Sequence, residues 1–371
     1  VDGDLVTVFL CGDVMLGRGV DQILPYPGDP ALREGYLDDA RAYVELAEVA
    51  NGPIPRPVGF AWPWGEALPV LDEAAPAARV INLETSVTRS GTFASGKEVH
   101  YRMNPGNLPC LTLARPDVCV LANNHVLDFG RNGLAETLDV LAGAGLRTAG
   151  AGVDADTARR PAIVPLHGDH HLLVFSFGLP TSGIPFSWAA TEDRSGVAFL
   201  SEPSETAANG LAARVRQLKR PGDLAIASIH WGPNWGYGVS RSEAAFARLL
   251  LDGGVDVVHG HSSHHPRSLE NHHGKLVIHG CGDFIDDYEG ITGYEQYRDD
   301  LRLLFLVSLE QPTGRLHEVR IVPLQAHRMR LQHPSARDCH WLQRLLDRIS
   351  TGFHPCTTTE GDGHTLTLRP L

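Results

Sequence analysis

Four histidines crowd into seven positions of VVHGHSSHHP (257–266): His259, His261, His264 and His265. They follow an apolar, β-branched run, so a buried strand delivers imidazoles at its carboxyl end. The same arrangement recurs along the chain. One apolar run ends in Gly12-Asp13, the next in Asn82-Leu83-Glu84, a third in Asn123-Asn124-His125, and later ones in His230-Trp231-Gly232 and Gly282-Asp283-Phe284. Ligands of open α/β sheets sit outside the carboxyl ends of the strands, which is where these polar groups fall. Carboxylate oxygen, amide oxygen and imidazole nitrogen together suit Mn²⁺, Fe, Zn²⁺ or Co²⁺, and two ions sharing one carboxylate can clamp a tetrahedral centre. Taken singly, each tip has a plainer use. Asp13 can be a turn residue, Asn123 and Asn124 can shape the entry to a helix, and His230 can be a hydrogen-bonded core histidine. Their recurrence at successive strand ends favours a common site.

The elements that must position these groups are legible as alternation. LVTVFLC (5–11), ARVINL (78–83), DVCVLA (117–122), LAIASIH (224–230), VDVVHG (255–260) and KLVIHG (275–280) read as buried strands bounded by Gly, Asp, Asn or Pro. Helical spacing appears over 40–50, 132–145, 204–219 and 242–254, with Asn132 and Ser242 as expected N-caps. This alternation predicts an α/β fold. Toward the end, LLFLVSLE (303–310) and RLHEVRIVPL (315–324) predict an antiparallel hairpin, 339–349 a last helix and 364–370 a short strand. The stretches 62–69 and 180–196 read as long loops able to shape a substrate mouth.

Composition narrows the class. The 371 residues are 43% hydrophobic and 20% charged, as in a globular chain, with no apolar run long enough to span a bilayer. A net charge of −12 without a basic block argues against a nucleic-acid groove or an anionic membrane surface. Six cysteines contain no CxxC pair, and Cys11, Cys119 and Cys281 lie in or beside apolar runs, which favours a reduced, cytoplasmic setting. The first residues, VDGDLVTVFLCGD, carry no basic leader region and run directly into a strand pattern.

The ordered motifs GDVMLGR (12–18), NLE (82–84), NNHVLDFG (123–130), HWG (230–232), GHSSHHP (260–266) and GDFIDDYEG (282–290) resemble the CapA family of poly-γ-glutamate capsule biosynthesis proteins, within the calcineurin-like metallophosphoesterase superfamily. The resemblance covers about residues 5–325. It implies a four-layer α-β-β-α sandwich of two mixed sheets over residues 1–330, with 331–371 adding a helix and a strand packed on it. Carried over by position, it implies one or two divalent ions. Asp13 and His264 would hold the first, Asn124, His230 and His261 the second, and Glu84 would bridge them. His125 would be a general acid oriented by Asp128. One departure stands out: the superfamily's first motif supplies a histidine where this chain has Met15, whose thioether is a poor ligand for hard ions. That leaves a first site with fewer ligands, one completed by His259 or His265, or none.

On the substrate side, Arg18 and Arg102 (in HYRMNP) could grip a carboxylate or phosphate bidentately, or serve in structural ion pairs. Trp231, Asn234 and Trp235 in HWGPNWGY could line the pocket, though either ring could equally be packing. Asp283, in the acidic and aromatic segment 283–300, could reach the metals or lie on a solvated loop face. The expectation is a metal-dependent hydrolase acting on an amide (γ-glutamyl-like) or phosphoester bond of an anionic, small or peptide-like substrate. The alternative is a non-catalytic partner binding a polyanion or a synthetase.

Overall fold

The computed structural model describes residues 5–353, 357–360 and 365–369. Leu5–Val14 lies in the middle of the larger sheet. On one side it runs parallel to Ala78–Leu83, followed by Val118–Val120 and Arg147–Ala149. On the other it is antiparallel to Leu301–Glu310, followed by Leu316–Ala326, Thr365–Leu368 and Thr357–Glu360. The second sheet orders Leu269–His272, Lys275–Ile278, Val257–His261, Leu224–His230, His171–Gly178 and Ala162–Pro165. Its four inner strands are parallel and its two edges antiparallel. Parallel strands of this kind are covered on both faces, hence their unbroken apolar runs.

Strand alternation sorts side chains between layers. Val8 and Leu10 point between the sheets, against a layer that includes Val174, Ile226, Val257 and Ile278, while Phe9 and Cys11 face the helices. Each fully buried Val, Leu or Ile in this layer contributes roughly 1.5–3 kcal/mol. Helices Arg41–Asn51, Ala67–Ala74 and Gly130–Gly143 cover the outer face of the larger sheet, and Glu205–Leu218 and Arg241–Asp252 cover that of the smaller. The result is the expected four-layer α-β-β-α sandwich. Ala336–Ile349 inserts Leu342 and Leu346 into the layer between the sheets, and Thr365–Leu368 extends the larger sheet. Among the described residues, no helix is long and apolar enough to cross a membrane.

Several local expectations shift. The helix cap is Ser240, in a capping box with Glu243, and the expected cap Ser242 falls inside the helix. Asn132 likewise lies inside Gly130–Gly143. His171–Gly178 is a central buried strand that the sequence reading passed over, because HLLVFSFG runs straight into the loop at Pro180 without a helical pattern between them.

Candidate metal centre

Two sheets deliver the polar tips to one place. The larger sheet provides Asp13, Asn82, Glu84 and the 123–128 turn; the smaller provides His230, His261 and His264. All are buried. Between Leu10 and Asp13 the register with the neighbouring strand shifts, which aligns Asp13 with Asn82. The Asn82 amide then donates to both Asp13 Oδ1 (2.7 Å) and Glu84 Oε2 (2.8 Å), spacing the two carboxylates. Asn123 holds Asn82 from behind by donating to its Oδ1 at 3.0 Å, and its own side-chain carbonyl accepts the backbone N–H groups of His125 and Val126.

On the facing side, His230 bonds Asn124 Oδ1 through Nε2 (3.0 Å) and His261 Nδ1 through Nδ1 (2.8 Å). Ser228 links His261 to His259, whose Nε2 donates to the Cys11 carbonyl at 2.8 Å. That bond fixes His259 as a support for the ligand row. His265 turns away, accepting from Gly236 N and packing against Tyr297. Nδ1 of His264 meets Asp283 Oδ1 at 2.9 Å. Nε2 of His230 lies 3.6 Å from Glu84 Oε1, and His261 Nδ1 lies 3.9 Å from Asp13 Oδ1.

The expected acid–base pair is adjacent. His125 Nδ1 donates to Asp128 Oδ2 at 2.6 Å, and Nε2 approaches Glu84 Oε1 at 3.9 Å. The backbone N–H of Tyr101 also donates to Asp128 Oδ2 (2.7 Å), and Lys97 donates to Asp128 Oδ1 and the Asn124 carbonyl. Burial pulls His125 down to about 4 against the opposing pull of Asp128, so the ring is neutral at pH 7 with its Nε2 lone pair toward the site. A neutral ring in this tautomer presents Nε2 as a hydrogen-bond acceptor beside Glu84.

The carboxylates set the charge of the centre. Burial, reinforced by Asp283, pushes Asp13 up to about 7; burial and Asp13 push Glu84 well above the carboxylate range. Asp13 Oδ2 and Asp283 Oδ2 are buried without a hydrogen-bond partner. Two sets of potential ligand atoms each lie within 4.8 Å of one another: Asp13, His230 and His261, and Asp13, His264 and Asp283. Oxygen and imidazole donors, crowded negative charge and orphaned lone pairs fit a borderline divalent cation. Glu84 and Asn124 lie beside the first set through His230.

The expected substrate residues separate. Asn234 and Trp235 line a cavity of about 270 Å³ that opens onto His264, with Arg18, Tyr36, Tyr43, Tyr288 and Tyr294 on its other walls. Arg18 is there, but its Nε and Nη2 bind Asp287 (2.8 and 2.5 Å), its Nη1 binds Glu34 (2.9 Å), and its plane lies 3.5 Å from the Tyr43 ring centroid. Two buried carboxylates already offset its charge. Arg102 donates to the carbonyls of Ser90 and Asp29, away from the centre. Trp231 is a core side chain that donates to the His279 carbonyl and packs on Phe246. Lys97, Asn82 and Ser228 were not singled out from sequence. Asn82 carried a signal as the first residue of NLE, whereas Lys97 sits in aperiodic GTFASGKEVH (91–100) and carried none.

The sequence matches the family described as bacterial capsule synthesis protein PGA_cap over residues 7–288. A Mycobacterium tuberculosis protein described as a probable polyglutamine synthesis accessory protein is 52% identical, over 97% of this chain and 95% of its own length. The PGA biosynthesis protein CapA of Bacillus subtilis is 23% identical over 87% of this chain and 72% of its own. Among solved structures, a 5'-nucleotidase precursor from Thermus thermophilus aligns at 16% identity and a TM-score of 0.47, over 86% of this chain and 54% of that one. With the family match spanning most of its length, the chain belongs to the bacterial capsule synthesis protein PGA_cap family.

Proposed function

We propose that this protein is a metal-dependent hydrolase that cleaves an amide bond in a glutamyl- or glutaminyl-type chain or its precursor. One observation carries the reading: the His125–Asp128 pair, joined at 2.6 Å, stands beside a buried cluster of Asp13, Glu84, His230, His261 and His264 that is short of positive charge. A divalent ion held there supplies Lewis acidity toward water and toward a carbonyl or phosphoryl oxygen. Asp128 fixes the tautomer of His125, and Lys97 holds Asp128 in turn. His125 Nε2 takes a proton from the water that attacks the carbonyl carbon. As the C–N bond breaks, the same nitrogen returns that proton to the departing amine. Asn124 and Ser228 orient the imidazoles through hydrogen bonds.

The cavity beside His264 supports a peptide-like substrate, but not through a free guanidinium. Asn234 offers an amide, and Trp235, stacked on Tyr294 at 3.9 Å, offers an aromatic wall. The relatives' described roles in polyglutamine and PGA synthesis favour glutaminyl or glutamyl chains over phosphoesters. The description of one relative as an accessory protein keeps a non-catalytic, polymer- or synthetase-binding reading in play. Chelator-stripped protein reloaded with Mn²⁺, Zn²⁺ or Co²⁺ decides between them. Release of amine from γ-glutamyl and glutaminyl amides, abolished by His125→Ala at unchanged metal content, supports hydrolysis. Inert metal-loaded protein that binds the polymer equally well without metal overturns it.

A further inference from the structure

Position 15 cannot serve as a ligand for a hard cation. Met15 is buried, and its thioether accepts the Tyr288 hydroxyl at 3.8 Å. The backbone supplies an alternative from the far end of the chain. Asp283–Ile285 pairs in parallel with Leu5–Val14, in a register that sets Asp283 opposite Asp13. The approach depends on Gly12, where a Cβ would fall 1.6 Å from the Gly282 carbonyl oxygen. Two carboxylates are therefore placed side by side in an interior that excludes water.

Their surroundings offset only part of this charge, through His264 and Arg302 beside Asp283. Arg302, the nearest cation, binds Asp286 at 2.5 Å and stands 3.9 Å from Asp283 Oδ2. Asp283 Oδ1 meets His264, but its Oδ2 has no hydrogen bond, and neither does Asp13 Oδ2. Two such buried, unpartnered oxygens belong to carboxylates that stand beside one imidazole, His264, and so offer oxygen donors for a coordination shell. The ligand atoms of Asp13, His264 and Asp283 lie within 4.8 Å of one another.

We propose that Asp283 is a metal ligand that completes, with Asp13 and His264, one of two divalent-cation sites sharing the Asp13 carboxylate, the other being held by Asp13, His230 and His261. This assigns the shared position to Asp13, while Glu84 lies on the His230 side. It rests on the reading of the centre as a metal site.

The test is metal stoichiometry in the whole chain. Stripped protein is re-equilibrated with Zn²⁺ and freed of excess, and bound metal is measured by elemental analysis. Wild type is expected to hold two ions, Asp283→Asn one, and Asp283→Glu two. The second-ion affinity in Asp283→Asn should be at least about 100-fold weaker. Wild type without ions overturns the metal reading itself. Wild type with two ions and Asp283→Asn also with two overturns only the role of Asp283, as does a wild type that holds a single ion unaffected by the change. Should Asp283→Asn fail to fold, anomalous diffraction from Zn²⁺-loaded wild-type crystals decides. A peak about 2.0–2.2 Å from an Asp283 oxygen supports the assignment, and none within that reach refutes it.

Discussion

Arg18 offers the sharpest separation between a structural and a substrate-binding role. Its guanidinium, 2% exposed, joins Glu34 (1%) and Asp287 (0%) in the wall of the cavity. Arg18→Met would leave two carboxylates without their cation. Removing one partner of a buried ion pair typically costs about 3–5 kcal/mol, and the lost contact over the Tyr43 ring adds to that. Two groups soften the loss: Gly19 N–H still donates to Asp287 and the Tyr43 hydroxyl to Glu34. The expected destabilisation is therefore about 3–5 kcal/mol. It is measured by equilibrium urea unfolding of metal-free protein, with the slope compared to confirm that the denatured state is unchanged. Adding Glu34→Gln to Arg18→Met should recover about 1–2 kcal/mol, because one unpaired charge disappears. On the same logic, the KM of folded, metal-loaded Arg18→Met should stay within about threefold of wild type, since the guanidinium contributes no free charge. A destabilisation below about 1 kcal/mol, joined to a roughly tenfold rise in KM, would show that Arg18 faces the substrate, and the structural assignment would be wrong.

Other expectations follow from the same geometry. Asp128→Asn should lower turnover by about 10²–10⁴ while metal content stays constant, since it removes the acceptor that fixes His125; unchanged turnover would rule out the dyad. Because His125 is pulled to about 4, its proton-accepting form dominates above that value. Turnover should thus rise as pH climbs through about 4–5 and be level from about 6 to 7, and an acid limb governed by His125 at about 6.5 would contradict this. His259 is likewise held near 4 by burial. The unfolded chain takes up its proton first as pH falls below about 6.5, so this residue costs the folded state up to about 3 kcal/mol between about pH 6.5 and 4. In metal-free protein, the stability gap between wild type and His259→Gln should shift in the variant's favour by about that amount over this interval, and a gap independent of pH would exclude a neutral buried His259.

The order of strands and helices was readable because parallel, doubly covered strands must be apolar throughout, and their polar tips announce where they stop. Asp13, Glu84, Asn124, His230, His261 and His264 are strand-end residues, so local pattern was enough to point to them, and the fold brings them together. The functions of side chains lying between elements were less legible. Whether a guanidinium is free depends on partners such as Asp287, 269 residues away from Arg18, which no local pattern encodes. Trp231 directly follows His230, the last residue of its strand, yet alternation turns it into the helical layer while His230 enters the centre. Lys97 reaches the dyad from an irregular stretch where periodicity carries no information.

The donors of the centre belong to two sheets joined across their shared face mainly by side-chain packing, with few hydrogen bonds such as that from His259 to the Cys11 carbonyl. Sliding one layer over the other by even a fraction of an ångström would carry Asp13, Asn82 and Glu84 in one direction and the three imidazoles in the other. Chemistry at the rim is thus a gauge of fit deep in the interior: trimming a methyl group at Val80 or Ile226, both in the apolar layer between the sheets, would loosen the alignment on which every strand end depends.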